Sequence, residues 1–140
     1  MRIGYIYKIY CLDDNIKECY IGSSFNIKKR MRCHKYDCSS INSLQYNYKL
    51  YTFIRDNGNW SNWDYQYYIV NVIDKTDLKM QEQDRMDIEI NPILNGMRAY
   101  TDKLEYNKQK HNCPCGGRYI ITHKIRHFRT LKHQNYINQV

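Results

Sequence analysis

At 140 residues the chain has room for one domain of ordinary size and a small appendage. Its 22 Lys and Arg against 14 Asp and Glu give a net charge of +8, which favours a polyanionic partner such as nucleic acid or an anionic membrane surface. No apolar run is long enough to span a bilayer and the start, Met1-Arg2-Ile3-Gly4-Tyr5, is too polar for a secretory signal, so a soluble intracellular protein that does not use a membrane is expected.

In chain order, Ile3 to Tyr10 is β-branched and aromatic and predicts a strand, followed by turn chemistry at Asp13-Asp14-Asn15. Glu18 to Gly22 predicts the returning strand of a hairpin, which brings Tyr7 and Tyr20 near each other. Asn26 is placed to cap a helix carrying Arg30 and His34. Residues 43–56, with Leu44, Tyr48, Tyr51 and Phe53 or Ile54 near helical period, predict a second helix that stops at Asn57-Gly58. Tyr65 to Ile73 predicts a third strand. A last helix is expected from Asp77, carrying Met80, Met86 and Ile90 and ending at Asn91-Pro92. This order predicts an α+β domain over residues 1–100, a small antiparallel three-stranded sheet flanked by helices.

Charge shifts beyond that point. Residues 1–100 hold fourteen basic and twelve acidic side chains, whereas residues 101–140 hold eight and two. A linker is expected at 101–112 and a basic element at 113–140. Most of the fifteen tyrosines suit half-buried strands, and Cys11, Cys19, Cys33 and Cys38 show no metal-ligand spacing and read as ordinary thiols.

Two tyrosines, an arginine, a histidine and a carboxylate form a set with chemical meaning. Phosphodiester hydrolysis needs an activated water, neutralisation of the developing phosphoryl charge and help for the leaving oxygen. A divalent cation on one carboxylate serves the last two, and an arginine fork fits phosphate oxygens and stays charged. Phenol, with a reference pKa of about 10, helps only if cations lower that value or if it orients water as a neutral hydroxyl. Arg30 and His34, four apart, fall on one helix face. Lys28, Lys29, Arg32 and Lys35 around them are candidate nucleic-acid contacts. Each residue taken alone also has an ordinary structural reading. Glu82 in particular stands among Asp74, Asp77, Asp84, Asp87 and Glu89.

Jointly, Gly4-Tyr5-Ile6-Tyr7-Lys8-Ile9, Cys19-Tyr20-Ile21-Gly22-Ser23-Ser24, Asn26-Ile27-Lys28-Lys29-Arg30 with His34, Glu82-Gln83 and Pro92-Ile93-Leu94-Asn95 resemble the GIY-YIG endonuclease family over about the first hundred residues. The resemblance implies a DNA endonuclease working through a single Mg²⁺ (or Mn²⁺) and leaving a 5′-phosphate and a 3′-hydroxyl. By it Tyr20 activates or orients water with Tyr7 as partner. Arg30 clamps the phosphate, His34 assists proton transfer or phosphate binding, Glu82 holds the metal and Asn95 supports the site. The first motif reads Tyr5-Ile6-Tyr7 with Gly4 before it. Ser23 stands where some members carry a lysine, so lowering of a tyrosine pKa falls to Lys8 or the metal. The alternative is a nucleic-acid-binding module of the same fold that performs no chemistry.

In the tail, Cys113-Pro114-Cys115-Gly116-Gly117 offers two thiolates on a tight turn, with one residue between them against the common two to four. His123, His127 and His133 follow. Zinc needs four N or S ligands, and the favoured set is Cys113, Cys115, His127 and His133. On a straight helix His127 and His133 diverge by roughly 120°, so the helix must loosen between them; His123 with His127 is the other pairing. The tail resembles short finger-like tails of proteins from large DNA viruses, which implies a structural Zn²⁺ and, in a viral setting, the cytoplasm or nucleus of a host cell. Arg118, Lys124, Arg126, Arg129 and Lys132 are then phosphate contacts. A disordered basic tail is the competing reading.

Overall fold

A computed structural model describes residues 1–139, apart from the side chains of Leu104, Tyr106 and Ile121. The chain forms two units, Met1–Tyr100 and Thr101–Val140.

The first unit is α+β. Strand β1 (Arg2–Cys11) lies between β2 (Cys19–Ser24) and β3 (Trp63–Val72) in an antiparallel sheet of order β2-β1-β3. The central strand has apolar residues on both faces, because helices cover both. Tyr7, Ile9, Cys11 and Trp63 pack with residues of α1 (Ile27–Ser39) and α2 (Lys49–Asp56). On the other side Ile6, Ile21 and Val72 pack with Leu78 and Met86 of α3 (Lys75–Ile88). Ile6 and Ile54 are wholly buried, and truncating either to Ala should cost about 2–5 kcal/mol.

Register decides the site. Tyr7 sits opposite Gly22, and Ile9 opposite Tyr20. Side chains alternate faces along a strand, so Tyr7 and Tyr20 project from the same face. The Asn26 cap is present, its side chain accepting from Lys29 N at 2.9 Å. Such a cap is worth about 1 kcal/mol.

The elements depart from expectation in four places. The second helix begins at Lys49, not residue 43, and Leu44 is 99 % exposed. Ser43 bonds Asp37 and the Gln45 backbone instead, and such local side-chain bonds compete with helix formation. The third strand starts two residues early and buries Trp63. Asp74 rather than Asp77 begins α3, accepting from Asp77 N. Its buried residues are Leu78, Glu82, Gln83 and Met86, whereas Met80 is exposed and Ile90 lies past the helix end and is exposed.

The second unit takes in the segment expected as a linker. Residues Lys103–Lys108 form α4, and β4 (Lys110–Asn112) pairs antiparallel with β5 (Arg118–Ile120). His111 stacks on Tyr119 across that pair, which gives the segment a partner to fold on. A single 3₁₀ turn leads into α5 (Lys124–Phe128) and α6 (Leu131–Ile137). Among the described residues, no helix is long and apolar enough to cross a membrane.

Candidate active site and metal centre

Strands β1 and β2 present Tyr7 and Tyr20 with ring centroids 6.3 Å apart. The approach depends on Gly22, because a Cβ there would collide with the Tyr7 ring and hydroxyl. From α1, the Arg30 Nε donates to Tyr7 Oη at 3.0 Å. His34, one turn further, is wholly buried, with Nε2 2.9 Å from Tyr7 Oη and Nδ1 2.9 Å from Tyr51 Oη. The Tyr51 hydroxyl in turn donates to Asp37 Oδ2 at 3.4 Å. Since Tyr7 accepts from Arg30, its own proton can go to His34 Nε2. His34 then donates from Nδ1 to Tyr51, and every group in the row is satisfied.

Burial therefore moves His34 out of direct contact with phosphate. It positions Tyr7 from below. Burial, and secondarily the Arg30 charge, lower its pKa from 6.5 to about 3, so it is neutral when folded. The unfolded chain protonates His34 below about 6.5 and the folded one does not until about 3, so stability falls as pH drops through that window. In thermal melts between pH 7 and pH 4.5, the wild type should lose more stability than His34→Gln. Parallel curves would contradict this placement.

Burial raises the pKa of Tyr7, with the Tyr20 charge adding to it and Arg30 opposing. Burial also raises that of Tyr20; Arg30 pulls it back and Glu82 pushes it up. Both are neutral phenols at neutral pH, which suits orienting a water. The expected help from Lys8 is absent: its Nζ pairs with Glu89 at 3.0 Å, because Lys8 alternates to the face opposite Tyr7.

Glu82 is 4 % exposed, and its Oε2 accepts from Ser23 Oγ and from Lys79 Nζ, the latter at 2.5 Å. Asn95 clamps β2, accepting from Ile21 N at 3.0 Å and donating to Ile21 O at 2.7 Å. Tyr20, Arg30, Lys79, Glu82 and Asn95 line one cleft of about 640 Å³. Glu82 is the one carboxylate among the residues lining it. The Lys79 ammonium sits against that carboxylate.

In the second unit the ligand atoms of Cys113, Cys115, His127 and His133 all lie within 4.8 Å of one another. Cys113 Sγ is 3.2 Å from His133 Nδ1, and Cys115 Sγ is 3.4 Å from His127 Nε2. Tetrahedral zinc with its usual bond lengths implies S···N edges of about 3.5 Å, so this cluster could hold a metal such as zinc. The chain breaks between α5 and α6, where Thr130 Oγ1 caps α6 by accepting from His133 N at 3.3 Å. That break turns both histidines to one point. His123 stays exposed and outside the cluster. Gly117 carries no side chain because a Cβ would lie 2.6 Å from His127 Cε1. Phe128 stacks on His133 and Tyr119 on His127.

All nine expected phosphate contacts, Lys28, Lys29, Arg32 and Lys35 on α1 and Arg118, Lys124, Arg126, Arg129 and Lys132 in the second unit, are exposed. Lys132 also donates to Gly116 O at 3.0 Å. Sequence reasoning missed Tyr51, Asp37, Ser23 and Lys79 as parts of the first site. Only the spacing of Lys79 and Glu82, three apart on a helix, signalled a pairing. Comparison with family models, curated proteins and solved structures finds no match for this chain.

Proposed function

We propose that the first unit is a Mg²⁺-dependent DNA endonuclease of the GIY-YIG type, and the second a zinc-stapled DNA-binding element. One observation carries this reading. Tyr20, Arg30, Glu82 and Asn95, from separate stretches of the chain, line a single cleft with Tyr7 and His34 directly beneath.

The chemistry follows from those positions. Arg30 holds Tyr7 through Nε, and its guanidinium faces the cleft as the charge for the oxygens of the scissile phosphate. Tyr20, as a neutral phenol, orients the attacking water. The hydrogen-bonded row through Tyr7, His34 and Tyr51 to Asp37 offers the water's proton a route out of the cleft. Water oxygen bonds to phosphorus as the bond to the 3′-oxygen breaks, and that oxygen takes a proton from solvent, leaving a 5′-phosphate and a 3′-hydroxyl. Glu82 would hold the divalent cation, whose contribution there would be neutralisation of phosphoryl charge and help for the leaving oxygen.

Tyr20→Phe tests the assignment, since only the hydroxyl is lost while the ring still packs. Plasmid cleavage should fall by at least about 10²-fold, the range for losing a general acid–base group. Tyr5→Phe should retain activity, because Tyr5 makes an edge contact with Tyr67 and has no place in the cleft. Near-normal cleavage by Tyr20→Phe would return that residue to a packing role.

A further inference from the structure

Helix α1 has two flanks. Arg30 and His34 occupy the one toward the cleft. On the other, Lys28, Arg32 and Lys35 fall four and three residues apart and share one face. They line a groove of about 570 Å³ whose remaining wall includes Trp60, Trp63 and Tyr65. The groove shares no lining residue with the cleft. Its volume lies within the range that takes a small ligand or a nucleotide. Trp60 and Tyr65 are half-buried, Trp60 stacked on His34 and Tyr65 on Tyr67, while Trp63 is buried and donates Nε1 to Asn57 O. Asp64 is the one acid in the lining against three cations, so the groove is net positive.

From this juxtaposition we propose that the groove binds an unpaired stretch of nucleic acid, with phosphates along Lys28, Arg32 and Lys35 and a base against Trp60 and Tyr65. A duplex offers phosphates but keeps its bases stacked inside, so a basic row alone would serve it. Aromatic faces beside the row add binding only when a base is free to stack on them. The proposal rests on the nucleic-acid reading above and makes single-stranded or branched DNA the substrate class, but it does not depend on cleavage.

The chain has two tryptophans, and both are in this groove. Tryptophan emission, excited selectively, therefore reports on it without a signal from the second unit. The full chain, with no Mg²⁺ or Mn²⁺ added, would be titrated with an oligothymidylate of about twelve nucleotides, with a blunt duplex of equal length, and with phosphatidylserine vesicles. The oligothymidylate should quench saturably and at lower concentration than the duplex. Replacing Lys28, Arg32 and Lys35 together by Gln should weaken it by at least tenfold and flatten its salt dependence by about two units of slope, at about 0.7 per phosphate contact on single strands. All three side chains are exposed, so the variant should fold, and unchanged circular dichroism would verify this. Tyr65→Leu should weaken binding by about tenfold, within the range for one stacked base. No quenching, unchanged affinity in the triple variant, tighter duplex binding, or a response to vesicles alone would each overturn the proposal. Quenching without Mg²⁺-dependent cleavage would remove the nuclease and leave the groove. Cleavage without quenching would remove the groove alone.

Discussion

Glu82→Gln is expected to lower Mg²⁺-stimulated cleavage by about 10³-fold or more while leaving the fold and DNA binding nearly unchanged. Metal-borne charge stabilisation contributes several kcal/mol to a transition state, and about 4 kcal/mol corresponds to that factor. Gln keeps the volume and can still accept from Ser23, so what disappears is the charge. The lost pairing with Lys79 matters little to stability, because Lys79 is about one-third exposed and can turn to water. Lys79 supplies the complementary test. If Glu82 exists to hold its lysine, Lys79→Ala should damage the protein as much as Glu82→Gln does. If Glu82 exists to hold a cation, Lys79→Ala should cleave at lower Mg²⁺ than the wild type, since a competing positive charge is gone. Cleavage at the wild-type rate by Glu82→Gln, or equal rates in EDTA, would refute the assignment.

The second large effect is expected on metal removal. The second unit spans forty residues, and its only buried residues among those described are Cys113 and His133, two of the four clustered ligands. Domains of this size seldom fold on apolar burial alone, and here the buried side chains belong to the Cys and His cluster. Structural zinc contributes roughly 10–16 kcal/mol of apparent binding energy in small finger-like peptides. The purified chain should therefore carry one Zn²⁺, and a strong chelator should collapse hydrogen-exchange protection across residues 110–135 while the first unit keeps its own. Cys115→Ser should weaken DNA binding, most visibly at moderate salt, because the exposed cations from Arg118 to Lys132 lose their shared geometry. His133→Ala should lose the metal and His123→Ala should keep it. Absence of zinc together with unchanged protection after chelation would contradict this account.

What was legible in the sequence was what short-range chemistry dictates. The Asn26 cap, the hairpin and the facing of Tyr7 and Tyr20 all follow from turn residues and the two-residue period of a strand. The clustered Cys113, Cys115, His127 and His133 followed from ligand counting once a helix break was allowed. Less legible was anything set by partners distant in the chain. Leu44 fits a helical pattern, yet Ser43 and Asp37 hold its segment in turns. Lys8 is one residue from Tyr7 in sequence, but Glu89, 81 residues away, takes it on the opposite face. His34 is spaced like a surface partner of Arg30, and only the packing of Tyr51 from α2 shows that both its nitrogens are already committed. Residues 101–112 looked like a linker because a three-residue strand leaves almost no periodic signal.

The measurement that bears most directly on the central claim is incubation of the full chain with supercoiled plasmid and with a branched DNA, in Mg²⁺ and in EDTA. The account predicts cleavage only with the divalent cation, with ends that carry a 5′-phosphate and can be religated. Retained DNA binding with no strand broken, in either Mg²⁺ or Mn²⁺, would contradict it and leave a binding module built on the same fold.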